Sequence, residues 1–235
     1  ASRDGGVSHA RARTLLVRTA VLALLGISGL GAWKLARLLV GVSPAEWGEI
    51  AISLLITLGR VLASITLGTL LMIPLGVSIG MNPKRSRLLQ PVVQVVASFP
   101  APMLFPLVIL GLTAFGVGIN TGAIALMMLG TQWYILFNVI AGAMAIPHDL
   151  REAATVMRLS RWKRWTKLIL PGIFPSLVTG WVTSAGGAWN ASIVAEYVHF
   201  GQRHLVARGL GSMITLATDR GEFGILTASV MMMTL

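Results

Sequence analysis

The chain has 235 residues, of which 55% are hydrophobic and only 11% charged, and its mean hydropathy is +0.79. Soluble domains carry about one quarter charged residues, so this composition excludes an ordinary soluble fold and points to an integral membrane protein. The absence of cysteine removes disulfide frames, thiolate nucleophiles and cysteine-ligated metals. The net charge of +11 would suggest nucleic acid in a soluble chain, but in a membrane chain its placement matters more than its sum.

A membrane-crossing helix needs about 20 mostly apolar residues. Residues 1–18 read as a basic N-terminal tail, with Arg3, Arg11, Arg13 and Arg18 before the first apolar run at 19–40. No small-residue cleavage pattern follows that run, so it reads as an uncleaved span. A polar break with Pro44 covers 41–49. The next apolar stretch, 50–80, exceeds one perpendicular crossing, and its span proper is placed at about 57–81, with the start along the interface. A basic turn, N-P-K-R-S-R, occupies 82–87. The third span, 88–112, contains Pro91, Pro100, Pro102 and Pro106. Each proline removes a backbone donor and disrupts the preceding turn, so Ser98-Phe99-Pro100-Ala101-Pro102 is expected to interrupt this helix near its middle. Such breaks occur where backbone is buried or faces a cavity, and they recur at transport sites; a packing kink is the alternative.

After a glycine-rich loop at 114–120 comes a fourth span, 121–146, then a basic amphipathic segment, then a fifth span, 168–197. A polar loop at 199–222 precedes a sixth span that begins at Phe223 and is cut off by the end of the sequence at Leu235. The expectation is an all-α membrane protein of about six spans, the last truncated, with one permeating domain over 19–235 and a natural chain that continues beyond it.

The charges give an independent test of topology. With the N-terminus inside, the inward segments carry thirteen basic residues: the four in the tail, Lys84, Arg85 and Arg87, and Arg151, Arg158, Arg161, Lys163, Arg164 and Lys167. The outward segments carry five: Lys34, Arg37, Arg203, Arg208 and Arg220. That bias fits the positive-inside rule and places the 147–167 loop in the cytoplasm.

In the fifth span Ser176, Gly180, Ser184, Ala188 and Ser192 recur every fourth residue, forming one ridge of small side chains. Thr179, Thr183, Gly186, Gly187 and Asn190 lie beside it. Polar groups left in hydrocarbon are costly, so this side meets protein or water. Two compatible readings are tight helix packing and the lining of a translocation path, the latter drawing on Ser98, Pro100, Thr183, Ser184, Asn190 and Glu196. Glu196 and Arg60 are the ionisable groups nearest the membrane interior; they mark either a functional site or a pair that ties two helices together. No HExxH, GxSxG or Walker A motif is present, no catalytic set converges, and the four histidines lack ligand spacing, so neither a catalytic site nor a metal site is expected.

The basic loop divides in two. Pro147 and Asp149 suit a helix start, and Leu150, Ala153, Ala154 and Met157 make an i, i+3, i+4, i+7 stripe with small residues at its centre. Such a short projecting helix is shaped to enter a partner's groove. Ser160 can cap a second helix, in which Trp162, Trp165, Thr166 and Ile169 share one face among basic residues, a pattern suited to the membrane surface. A lipid-bound scaffold would account for the basic loop alone, but not for a polar-lined fifth span or a proline-broken third.

Glu152-Ala153-Ala154, followed without gaps by Leu168 and Leu170-Pro171, resembles the signature loop of binding-protein-dependent ABC importer permeases: E-A-A, three residues, G, nine residues, I, one residue, L-P. At the glycine of that pattern this chain has Arg158, and Leu159-Ser160 is expected to make the turn in its place. Thr57-Leu58-Gly59-Arg60-Val61-Leu62 with Pro74-Leu75-Gly76, Phe99-Pro100-Ala101-Pro102 with Phe115-Gly116-Val117-Gly118, and Ala188-Trp189-Asn190 with Val194-Ala195-Glu196 are similar to the nitrate, sulfonate, taurine and bicarbonate branch. The resemblance implies a subunit of a bacterial inner-membrane importer for a small anion or another small solute. It further implies a second permease domain (identical, different or fused), two cytoplasmic ATPases that hold the ATP and magnesium, and an extracytoplasmic solute-binding protein. Leu150, Glu152, Ala153, Ala154, Met157 and Arg158 would dock the ATPase. The start without Met suits the C-terminal half of a fused pair. This chain itself would be no enzyme, would hold no cofactor, and would touch lipid but no nucleic acid.

Overall fold

The computed structural model describes residues 4–201 and 203–234, with side chains from Leu16 onward. Arg3 of the basic tail, and the side chains of Arg11 and Arg13, lie outside the described residues.

α1 (Asp4–Val40) is helical through most of what the sequence suggested as a tail and continues without a break into the first span. No residue of its apolar stretch, Leu16–Val40, is buried within the chain, although Leu39 near its end packs on the Val42–Ile50 cluster; such exposure suits a helix wrapped by lipid. α2 (Pro44–Gly80) starts on a reciprocal capping box: the Ser43 amide donates to the Glu46 carboxylate at 2.6 Å, and the Glu46 amide donates to Ser43 Oγ at 3.3 Å. Pro44 fits the first turn because its missing N–H has no helical partner there. The polar break thus shrinks to 41–43, and α2 is one 37-residue helix with no separate interfacial segment before residue 57.

The broken third span is present. α3 (Pro83–Ala97) and α4 (Ala101–Ala114) meet at 86°. The break falls at Ser98-Phe99-Pro100, where Pro100 in an extended conformation starts α4. Ser98 and Pro100 are both exposed.

α5 (Ile119–Ala145) forms the centre of the bundle, packed mainly against α2 and α8 (Leu170–Ala195). Ile135, Val139, Ala143, Ile173 and Leu177 make the apolar seam between them. Backbones approach closely on the α2 side: a Cβ at Gly80 would lie 2.6 Å from the Ile140 carbonyl oxygen. On the α8 side the predicted ridge does the same work. Gly180, Ser184, Ala188 and Ser192 are buried, and Ser184 Oγ donates to the Thr131 carbonyl of α5 at 3.4 Å.

α6 (His148–Val156) and the short α7 (Arg161–Arg164) form the connection between α5 and α8, and α7 enters α8 through a π-helical turn, Trp165–Ile169. The expected polar loop after α8 is ordered instead. It forms an antiparallel hairpin, β1 (Tyr197–Phe200) and β2 (Arg203–Val206), followed by α9 (Leu210–Arg220). Sequence alternation over such short strands is too brief to signal itself, and one face of the hairpin, with Val198, Phe200 and Leu205, packs on the bundle. α10 (Phe223–Thr234) is the short apolar helix where a sixth span was expected to begin. Among the described residues four helices are long and apolar enough to cross a membrane, or five if the bent α3–α4 pair counts as one span.

Candidate functional site: an exposed loop helix and a buried ion-pair knot

The two ends of α5 carry two different polar structures. At its C-terminal end, the Arg151 guanidinium reaches back from α6 and donates to the carbonyls of Ala143 and Met144 at 2.9 and 3.2 Å. These carbonyls have no partner within their own helix, so a cation placed there satisfies hydrogen bonding and the helix dipole together. Ala154 is the buried foot of α6. The predicted stripe therefore splits: Ala154 faces the bundle, while Leu150, Glu152, Ala153 and Met157 stand in solvent. Val156, not singled out in the sequence, is 82% exposed. It lies at i+4 from Glu152, which is the signal that could have found it. Among the described residues, the one ionic neighbour of Glu152 is an exposed His148 at 3.5 Å. A 660 Å³ cavity runs between α6 and the α2–α3 turn, lined by Met81, Pro83, His148, Arg151, Glu152, Thr155 and Val156.

The turn after α6 is made by Arg158, and not by Leu159-Ser160 as expected. Arg158 has φ +50°, and it is the only described residue other than glycine with positive φ. Its amide donates to the Thr155 carbonyl at 3.0 Å, and the Leu159 amide donates to the Ala154 carbonyl at 3.1 Å. This is the Schellman pattern, whose left-handed position is ordinarily glycine. Arginine therefore occupies the glycine conformation. Ser160 does cap α7, accepting from the Lys163 amide at 3.4 Å. The Arg164 side chain returns to donate to Thr155 Oγ1, locking α7 to α6. Trp162 points outward, 76% exposed, while Ile169 turns into the core.

At the opposite end of α5, Arg60 and Glu196 meet at 2.7 Å, with side chains 8% and 0% exposed. Every polar edge of the pair is used. Arg60 also donates to the Asn120 carbonyl at 2.9 Å, to Asn120 Oδ1 at 3.1 Å and to the Arg208 carbonyl at 2.8 Å. Glu196 accepts from Thr57 Oγ1 at 2.8 Å and from the amides of Gly211 and Ser212 at 2.9 and 3.3 Å. The latter two are free donors in the first turn of α9, so Glu196 acts as a remote cap for that helix. A side chain at Gly209 would collide with the Glu196 carboxylate, and one at Gly211 with the Ser192 carbonyl, which explains both glycines. The tying role weighed for Arg60 and Glu196 is thus realised, with Thr57, Asn120 and Arg208 as partners the sequence did not reveal.

Glu196 and Ser184, expected on the path, are instead fully enclosed between elements of the same chain. Thr183 and Asn190 remain exposed, in line with Thr179 and Gly186 along the outer side of α8. The α8 polar residues therefore divide between a packing face and an open face.

The helical bundle thus carries an ion-pair knot at one end and, at the other, an E-A-A helix anchored by Arg151 and Ala154 with its remaining face in solvent. The family model described as binding-protein-dependent transport system inner membrane component matches residues 72–235, and the chain belongs to that family. Its relatives include the bicarbonate transport system permease protein CmpB of Synechococcus elongatus, 31% identical over 145 residues, which cover 62% of this chain and 51% of that protein. The taurine transport system permease protein TauC of Escherichia coli is 28% identical over 177 residues, 75% of this chain and 58% of that protein. The nitrate import permease protein NrtB of Leptolyngbya laminosa is 30% identical over 166 residues, 71% of this chain and 56% of that protein. The chain thus spans about half the length of these curated relatives.

Proposed function

We propose that the chain is the membrane-passage subunit of an ATP-driven importer in a bacterial inner membrane, with its N-terminus and α6 in the cytoplasm. The observation that carries this reading is α6 itself: an E-A-A helix that leaves Leu150, Glu152, Ala153, Val156 and Met157 in solvent while Ala154 and Arg151 anchor it to the bundle. The thirteen-to-five distribution of basic residues supports the orientation. A cytoplasmic ATPase dimer, which holds the nucleotide and magnesium, would receive α6 in a groove. Its closure would push α6 and so tilt α5 and α8, switching the passage from outward-open to inward-open. The passage forms against a second permease domain, and an extracytoplasmic binding protein delivers the solute.

The solute class proposed is a small anion. Bicarbonate and nitrate, named for two of the relatives, are small oxyanions, and taurine, named for the third, carries a sulfonate. Asn190 on the open face of α8 offers a neutral donor for such a solute, and the hydroxyls of Thr183 and Ser98, which donate to the Thr179 and Val95 carbonyls at 2.7 Å, would turn toward it on binding; Ser184 and Glu196 are assigned to packing. The deciding experiment is Glu152→Lys in the assembled transporter. ATPase co-purification and solute uptake should both fall, while the protein remains in the membrane. Unchanged uptake and unchanged co-purification would defeat the docking claim.

A further inference from the structure

The outward face of the β1–β2 hairpin carries a side-chain cluster with no part in the proposed transport mechanism. His199 and His204 are direct cross-strand partners. Both are exposed, and their rings lie 4.5 Å apart, centre to centre, with planes at 79°. Tyr197 closes one side, stacked on His204 at 5.5 Å and edge-on to His199 at 5.4 Å. The opposite hairpin face is held to the bundle through Val198, Phe200 and Leu205, so the two imidazoles are presented on a fixed support. At its base, the Ala207 amide donates to the Glu196 carbonyl at 2.8 Å, joining the hairpin to the ion-pair knot.

We infer that His199 and His204 form a two-imidazole site for a divalent transition-metal ion of the copper, nickel or zinc type. Imidazole nitrogen is a preferred ligand for these ions. With metal–nitrogen bonds of about 2.0–2.1 Å, two rings sharing one ion have centres about 4.5 to 5.2 Å apart at ligand angles between about 90° and 109°. The observed separation falls at the near edge of that interval, and exposed rings reach the rest by a small change in χ. Directly opposed strand residues hold their side chains close, so the backbone supplies the proximity. Tyr197 is a packing neighbour and not a ligand. Its hydroxyl donates to the Asp219 carboxylate at 3.2 Å, away from the two imidazoles. Solvent would complete the coordination, since no group of three or more metal-ligating side chains comes together among the described residues.

The test is a Cu²⁺ titration of the purified chain in detergent, without a polyhistidine tag, read by electron paramagnetic resonance. The wild type should bind one ion per chain at this site with a two-imidazole signature. His199→Asn and His204→Asn should each weaken that step at least tenfold, whereas His148→Asn should leave it unchanged. Val206→His places a third imidazole on the same outward face and should tighten binding at least tenfold. This last variant tests the site by gain and does not depend on removing a native contact. Titrations of His199→Asn and His204→Asn that superimpose on the wild type would overturn the assignment, as would a signature that disappears in His148→Asn.

Discussion

The Arg60 guanidinium and the Glu196 carboxylate face each other at 2.7 Å in a place closed to solvent; Arg60 is held further by Asn120 and Arg208, and Glu196 by Thr57 and the first turn of α9. A buried pair of this kind contributes modest net stability, because desolvation offsets attraction. Removing one member is a different matter, because it strands the other as a buried charge. Arg60→Ala should therefore cost about 3–5 kcal/mol and lower the melting temperature of the detergent-solubilised protein sharply. Glu196→Gln keeps the shape but strands the Arg60 guanidinium, which cannot lose its charge, and should cost a comparable amount. A melting curve of Arg60→Ala equal to that of wild type would show that the knot is not structural.

Arg158 occupies a left-handed conformation that penalises residues with a Cβ by about 1–2 kcal/mol. Glycine removes that penalty but adds disorder to the unfolded chain, worth about 0.5–1 kcal/mol. Arg158→Gly should give a net gain of about 0.5–1 kcal/mol, seen as a higher unfolding midpoint or slower hydrogen exchange at the Leu159 amide. A lower midpoint would mean that the arginine side chain contributes a contact that outweighs its backbone cost.

Val156 is the most exposed large apolar side chain of α6. Val156→Asp should reduce co-purification of an ATPase partner at least tenfold and leave the melting temperature within a degree or two of wild type. Retained co-purification would move the docking surface away from this face.

The two faces of α8 can be separated by a pair of substitutions. Ser184→Leu adds volume against α5 and should destabilise the fold by about 1–3 kcal/mol. Thr183→Val is nearly isosteric on the open face and should spare stability while lowering the apparent affinity for the solute in an uptake assay. If Ser184→Leu folds normally and Thr183→Val transports normally, the assignment of the two faces is wrong.

Hydropathy and proline placement make the span order and the α3–α4 break legible in the sequence, because both are local properties. The four-residue spacing of small side chains announces a packing ridge for the same reason. The ridge does not announce which of its neighbours is covered: Ser184 and Thr183 are adjacent in sequence and differ only in whether α5 lies over them. Asn120 and Arg208 join the knot across 60 and 148 residues of chain from Arg60, separations at which no periodicity speaks. Arginine carries no preference for positive φ, so the sequence does not mark the turn at Arg158; the hydrogen bonds donated by the Leu159 and Arg158 amides decide it. The hairpin is not legible in the sequence because four-residue strands are too short for alternation to register.

One helix ends at both polar structures. Asn120, in the first turn of α5, holds Arg60, and the last carbonyls of α5 are gripped by Arg151 from α6. Twenty-seven residues of α-helix measure about 40 Å and resist compression along their axis. In the proposed transporter, α5 would be the stiff element that links a push on α6 to Arg60, with an arginine seated at each of its ends.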